Sequence, residues 1–454
     1  MSWIDFGIFL NLFFNSHVLF KGKLAFEFYD GYVAIIILLL IFIAKYRFPR
    51  ETLYILLPLL ITGIMNVILG NNTTGNLIKI FANLAVNLIF YRYVMHYYNY
   101  DVKRIFSMYL KGSFIVAVLG LIQLGSYIVG FEPGYDWRIL FPLNKWGFSE
   151  GGLGIRINST LSEPAYFGTI LAPAFFFSCY EFFFKREKYL TRYQSLTIIV
   201  AYVLSFSSLA FLGVFISIIL LAINFGFVRY ILIAVPVSVV LFFLAYNNAP
   251  EFRARVNGME ALFIDNIVEK ELTGKFERGV RMYKVSKVLP RIHGSSFVLY
   301  NNYHVTMENF KQNPLFGSGL GSHELAYQKH KLNYLLGGIY EFNTHDANSM
   351  FLRTLSEVGL MGVIFILFFV FKFYVSKNLA GEEDNDYWLI SNALLVLIVI
   401  QLLRQGNYTF SGFFLYAWMY YYNFVNYKNY TSEKSAEARR LREENESNII
   451  EETK

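Results

Sequence analysis

The chain has 454 residues, of which 55% are hydrophobic and only 16% charged, with 47 Phe, 34 Tyr and a formal net charge of +7. A mean hydropathy of +0.40 excludes an ordinary soluble domain, and a single cysteine excludes both a disulfide framework and a thiolate metal cluster. The positive balance is read as basic loops that fix membrane topology, and nucleic acid is set aside as a partner.

Runs such as "GYVAIIILLLIFIA" (31–44) and "FLGVFISIILLAI" (211–223) are too long and too apolar for soluble core helices. About 20 apolar residues cross a bilayer, and lipid forces backbone groups to pair within the segment. The expected fold class is therefore an all-α polytopic membrane protein. Twelve spans are placed near 2–20, 29–45, 52–70, 76–97, 107–130, 165–184, 193–207, 209–225, 228–246, 350–374, 387–404 and 408–425. The opening residues lack a basic region and a small-residue cleavage site, so a first span is expected there and no removable signal peptide. Lys45, Arg47, Arg50, Lys103, Arg104, Lys185, Arg186, Lys188, Arg192, Lys372 and Lys377 fall on one side, which the positive-inside rule makes cytoplasmic together with both termini.

The expected organisation is nine helices within 1–246, a large extracytoplasmic loop over 247–348, three further helices within 349–428 and a cytoplasmic tail at 429–454. An outer interval at 131–164 carries Trp137 and Trp146, which suit an interfacial segment. The large loop holds five of the seven histidines, and patterns such as "VTMENFKQ" point to a folded helical cap.

No phosphate-cradling loop, HExxH or CxxC is present, and the loop histidines lack metal-ligand spacing, so neither metal nor cofactor is expected. What remains is cationic and polar. Arg156 opens "RINSTLSEPAYFG" (156–168), where it serves as a headgroup-level anchor or an anion contact; Ser162 is a candidate cap for the helix at Pro164. The stretch 274–294 carries Arg278 and Arg281 three apart, either a surface helix on anionic lipid or a clamp for a phosphate-bearing substrate. In "NTHDANSMFLRTLSEVGLMG" (343–362), His345 beside Asp346 is placed to take a proton, whereas Asp346 and Asn348 are equally candidates for capping. Arg353 and Glu357, four apart, suit an intrahelical pair, and Arg404 ends the eleventh span on the same side.

"NPLFGSGLG" (313–321), followed by "HDANSMFLRTLSEVGLMG", resembles the C-terminal signature of the Wzy O-antigen polymerase and WaaL O-antigen ligase superfamily; "RINSTLSEPAYFG" and "LSFSSLAFLG" (204–213) resemble its outer loop and small-residue hairpin. The similarity spans roughly residues 150–370. It implies a GT-C-like glycosyltransferase of the bacterial inner membrane, active on the periplasmic face, inverting and metal-independent. The implied donor is a glycan on undecaprenyl diphosphate, and the acceptor is a sugar hydroxyl of another lipid-linked repeat or, for a ligase, of lipid A-core. A chain-length regulator of the Wzz type is an implied partner. The resemblance gives His345, Asp346 and Asn348 the acceptor end, and Arg156, Arg278, Arg281 and Arg404, with Glu163 and Tyr303, the diphosphate and glycan. This chain departs from the pattern in five places: Arg156 and Gly168 enclose eleven residues rather than ten, no arginine of the large loop has a glycine at either spacing, the hairpin "SFSSLAF" lacks an arginine, none stands directly before the amphipathic helix that precedes "PLFG", and "HDANS" is two residues longer than "HNS". A lipid-linked oligosaccharide flippase is the alternative from another class.

Overall fold

The computed structural model describes residues 3–15, 17, 30–141, 147–151, 154–225, 243, 246–247, 250–264, 294–332, 341, 343–377 and 386–452. The helices, in chain order, are α1 (Trp3–Phe13), α2 (Asp30–Lys45), α3 (Leu53–Ile68), α4 (Thr74–Tyr97), α5 (Val102–Ile128), the short α6 (Glu132–Tyr135), α7 (Pro164–Ile170), α8 (Ala172–Phe184), α9 (Arg192–Leu204) and α10 (Ser208–Asn224). They continue with α11 (Pro250–Met259), α12 (Gly294–Gln312), α13 (His323–His330), α14 (Met350–Glu357), α15 (Gly359–Lys372), α16 (Asp386–Arg404) and α17 (Phe413–Glu452). The strands are β1 (Ser149–Glu150) and β2 (Ile155–Arg156), antiparallel with Ser149 opposite Arg156.

Among the described residues four helices are long and apolar enough to cross a membrane, or five if the bent pair α7–α8 counts as one span. This is an all-α protein with membrane character, and the number falls below the twelve expected spans for physical reasons. Several apolar helices, α1, α2, α10 and α15, have only 10–17 residues and do not reach the length of a straight crossing. The expected span at 228–246 lies almost wholly outside the described residues. The last helix also does not stop at 425: α17 runs on for 40 residues into the polar tail.

Local chemistry explains where helices start. Thr73 accepts from the Asn76 amide, Asp101 from Arg104 and Ser207 from Leu209, while Thr191 and Gln194 form a capping box. Ser162 does not cap α7. Glu163 occupies that position without a side-chain cap bond, and the Ser162 amide is held by the Asn15 side chain at 2.9 Å.

Burial ranks the helices. In α16, 72% of the apolar stretch is buried inside the protein, against 22% for Arg50–Ile68, so α16 is a central strut and α3 a peripheral one. Around α16 the core is aromatic, with Trp388, Tyr109, Tyr202, Tyr416 and Tyr420 fully enclosed. A tyrosine can be buried cheaply only if its hydroxyl finds a partner, and three of these bond backbone carbonyls: Tyr109 to Ile170 at 2.6 Å, Tyr202 to Gly168 at 2.8 Å and Tyr420 to Val370 at 2.8 Å.

Two of those bonds serve the bend between α7 and α8, which is 55°. Pro173 has no amide to continue the ladder, so the helix opens. The Tyr109 hydroxyl fills the gap: it donates to Ile170 O and accepts from the Ala174 amide at 3.2 Å, replacing one direct helical bond by a two-step bridge.

The end of the bundle away from Arg156 is closed by charge. Buried Asp386 pairs with Arg186 and with Lys188 Nζ at 2.5 Å, and accepts from the Tyr189 hydroxyl at 2.9 Å. Glu181 receives the amides of Lys188, Tyr189 and Leu190, which pins the same 185–190 turn.

Candidate active site

At the other end, α14 and α15 meet at a second break. Val358 ends one helix and Gly359, at φ +71°, turns the chain into the next. Such a break orphans carbonyls on one side and amides on the other. The glycine-rich segment after α12 supplies the missing partners. Ser318 and Gly319 amides donate to Ser356 O and Glu357 O at 3.1 and 2.8 Å, and the Leu360 and Met361 amides donate to Pro314 O and Leu315 O at 2.9 and 3.1 Å. Gly317, at φ +63°, lies so close that a Cβ there would stand 2.5 Å from Glu357 O and from Val358 N. The same segment docks on the α3–α4 hairpin, where Asn72 Nδ2 donates to Leu320 O at 2.8 Å.

Beneath this contact lies a buried polar network. Asn309 Nδ2 donates to Ser318 Oγ at 2.7 Å and Ser356 Oγ at 2.8 Å. His323 bridges Ser356 Oγ through Nδ1 at 3.2 Å and Asn302 Oδ1 through Nε2 at 3.1 Å. Burial, with the charges of Arg353 and His345 adding to it, pushes the His323 imidazole down to about 3.

One turn away, Arg353 and Glu357 form a buried pair at 3.0 Å. Arg353 Nη1 also donates to Gly406 O at 3.1 Å, its guanidinium lies 4.3 Å from the Tyr408 ring centroid, and the Tyr408 hydroxyl donates to Glu357 Oε2 at 3.1 Å. The pair is thus locked from the 405–412 loop as well as along its own helix. Glycine is required at 406, since a Cβ there would overlap the Asp346 carbonyl.

The 343–349 turn therefore sits over α14 and beside the end of α16. Asp346 Oδ1 accepts from Asn343 Nδ2 and from the Asn348 amide, both at 3.0 Å. Neither Asp346 nor Asn348 caps α14: Ser349 does, accepting from the Leu352 amide at 3.2 Å while its Oγ donates to Leu402 O at 2.7 Å. Asn343, Ala347 and Asn348 all take left-handed φ values, so the turn is tightly wound. His345 is exposed, and its Nδ1 lies 3.0 Å from Glu324 Oε2 on α13. Arg404 is the last residue of α16 and half-buried.

Arg156 and Glu163 form a second group. Gln123 holds the intervening segment by accepting the Asn158 and Ser159 amides at 3.2 and 3.0 Å and donating to Asn158 Oδ1 at 2.8 Å. Burial raises the Glu163 carboxyl above its usual range, and the Arg156 charge partly offsets this. Three residues on, the Tyr166 ring packs against Phe410 of the 405–412 loop at a 34° tilt, with centroids 4.6 Å apart, which ties the two groups to one end of the bundle.

The chain matches no family model and no curated protein.

Of the sequence-derived candidates, Asp346, Asn348, His345 and Arg404 are gathered around the end of α14, and Arg156 with Glu163 beside α7. Tyr303 sits elsewhere, on α12, in an aromatic cluster with Phe263 and Tyr300. Arg278 and Arg281 lie outside the described residues. Glu324 and Tyr408 join the cluster without having been candidates. Their partners are 21 and 51 positions away, and no spacing rule links residues so far apart. Among the described residues no three His, Cys, Asp or Glu side chains converge as a metal site.

Directly below the cluster is an apolar cavity of about 190 Å³. Met350 and Thr354 of α14 line it, with Leu320 of the glycine segment, Tyr408, Phe365 and Trp418. One short helix thus carries the turn with His345 at its start and forms an apolar wall along its length.

Proposed function

We propose that this protein is a polysaccharide polymerase that transfers a glycan from a lipid diphosphate to the sugar hydroxyl of a second lipid-linked repeat unit. The observation that carries this reading is the double role of α14, which sets an exposed imidazole and two amide or carboxylate groups over an apolar cavity. A substrate with a polar head and a long hydrocarbon tail needs both together. On this reading the chain is a polytopic protein of the bacterial inner membrane in a GT-C-like arrangement, with both termini cytoplasmic and the cluster facing the periplasm.

The chemistry needs no metal. The acceptor oxygen forms a bond to the anomeric carbon as the bond from that carbon to the diphosphate oxygen breaks. The diphosphate leaves with the electron pair, and the acceptor proton passes to His345. Charge growing on the leaving group is met by guanidiniums held in place before the reaction, with Arg156 and Arg404 in that role and Arg278 and Arg281 as further contacts. Attack opposite the leaving group inverts the anomeric centre.

Purified protein in proteoliposomes, given only the lipid-linked repeat units that accumulate in cells lacking it, should lengthen them into a ladder. Silence with repeat units alone, and transfer of a unit onto lipid A-core once that acceptor is added, would make it a ligase and overturn the polymerase reading. The bent α7–α8 pair is the one observation that favours a transporter, because broken helices mark many transport sites. In cells, Arg156→Ala and His345→Ala should block elongation while repeat units still reach the outer leaflet; units trapped inside would establish transport instead.

A further inference from the structure

Helix α13 is two-faced at its first turn. His323 points inward and is fully buried, held at both ring nitrogens by Asn302 and Ser356, whereas Glu324, the next residue, faces the 343–349 turn. Ser322 precedes them and is fixed through Ser318 Oγ at 2.6 Å to the glycine segment. Glu324 therefore stands on a backbone locked on its inner side. Its Oε2 lies 3.0 Å from His345 Nδ1.

We propose that Glu324 is the positioning carboxylate of a Glu324–His345 pair, accepting the Nδ1 proton so that the Nε2 lone pair of His345 faces the acceptor hydroxyl. This rests on the polymerase reading above and deepens it. An imidazole in water exchanges between two tautomers, and only one of them leaves Nε2 able to accept a proton. A carboxylate on Nδ1 selects that tautomer and stabilises the imidazolium formed during attack, the same logic by which a buried carboxylate orients a catalytic histidine in hydrolases. Glu324 touches no reacting atom. It acts through His345. The turn that carries the ring is also anchored, at Asp346 against Gly406 and at Ser349 on Leu402 O.

Two measurements test this. In the full-length protein labelled with ¹⁵N-histidine and reconstituted in nanodiscs, the His345 signals, assigned by their loss in His345→Gln, should report a proton on Nδ1 in the neutral ring. In Glu324→Gln the ring should lose that single tautomer. A wild-type ring protonated on Nε2, or averaged between the two forms, overturns the proposal, and this readout needs no turnover.

The second measurement is kinetic, on the accumulated lipid-linked repeat units. Glu324→Gln should lower kcat about tenfold with KM little changed, Glu324→Asp should restore part of the loss, and in the residual turnover of purified His345→Ala, followed over long incubations, Glu324→Gln should cost nothing further. An equal loss in both backgrounds would make Glu324 merely structural. If the wild-type protein forms no polymer at all, the polymerase reading fails while the ¹⁵N result still decides the pair.

Discussion

Replacing Gly317 with alanine tests how the glycine segment holds the α14–α15 break together. The new Cβ would stand 2.5 Å from Glu357 O and Val358 N, both backbone atoms that cannot rotate away. The left-handed φ of +63° costs an alanine about 1 kcal/mol. Relief of the overlap requires the segment to retreat, which stretches the four backbone bonds that bracket it. Loss of two or three of these at about 1 kcal/mol each brings the total to about 3–4 kcal/mol. Gly70→Ala is the internal control: φ is +76° there, but nothing lies within 4 Å of the added carbon, so only the conformational cost of about 1 kcal/mol applies. Equilibrium unfolding in mixed micelles, followed by tryptophan fluorescence as denaturing detergent is raised, should separate the two variants clearly. Equal destabilisation of both would show that the backbone exchange at the break carries no energy, and the reasoning would fail.

Glu357→Gln, which strands Arg353 in a site where its side chain is 5% exposed, should cost about 3–5 kcal/mol, whereas Arg353→Met with Glu357→Met should recover most of that by the same unfolding measurement. His323 gives a pH signature: its folded value near 3 lies below the usual value of about 6.5, so its contribution is full above about pH 6.5 and is lost as pH falls toward 3. The wild-type protein should lose about 2 kcal/mol between pH 7 and pH 5 through this group alone, and His323→Gln should flatten that part of the profile. Glu163 should act with the opposite sign. Its carboxyl is raised by burial, so stability present below the ordinary carboxylate value of about 4.3 is lost as pH rises through the folded value, and Glu163→Gln should remove that loss in an unfolding-midpoint titration.

Local rules in the sequence went furthest where one helix decides the outcome. The 76–97 and 387–404 spans correspond to Thr74–Tyr97 and Asp386–Arg404, since continuous apolar runs with a capping Thr73 at the start of the first need no distant partner. The Arg353–Glu357 pair was legible for the same reason, because four residues is one helical turn. The end of α12 at Gln312, just before Asn313–Pro314, also follows from local backbone preference. The breaks were not legible. Tyr109 bridges α7–α8 from 65 positions away, and the 350–374 segment is divided by a partner that lies some 40 residues earlier. Capping was misassigned at Ser162, Asp346 and Asn348 because each had side-chain chemistry suited to the role. At α7 the cap position falls to Glu163, which makes no side-chain cap bond, and at α14 to Ser349, whose Oγ also reaches Leu402 O from outside the segment.

The docking of the glycine segment on the α3–α4 hairpin has a consequence for the order of assembly. Asn72 gives its amide to Leu320 O, Asn71 reaches Asn313 at 3.3 Å, and Gly321 packs against the Asn76 carbonyl. The hairpin is synthesised some 240 residues before these partners exist. A growing or truncated chain that stops short of residue 313 therefore presents an uncovered row of asparagines at the tip of an otherwise greasy hairpin. That tip is covered only when the last third of the protein arrives, so the hairpin reaches its final packing late in synthesis.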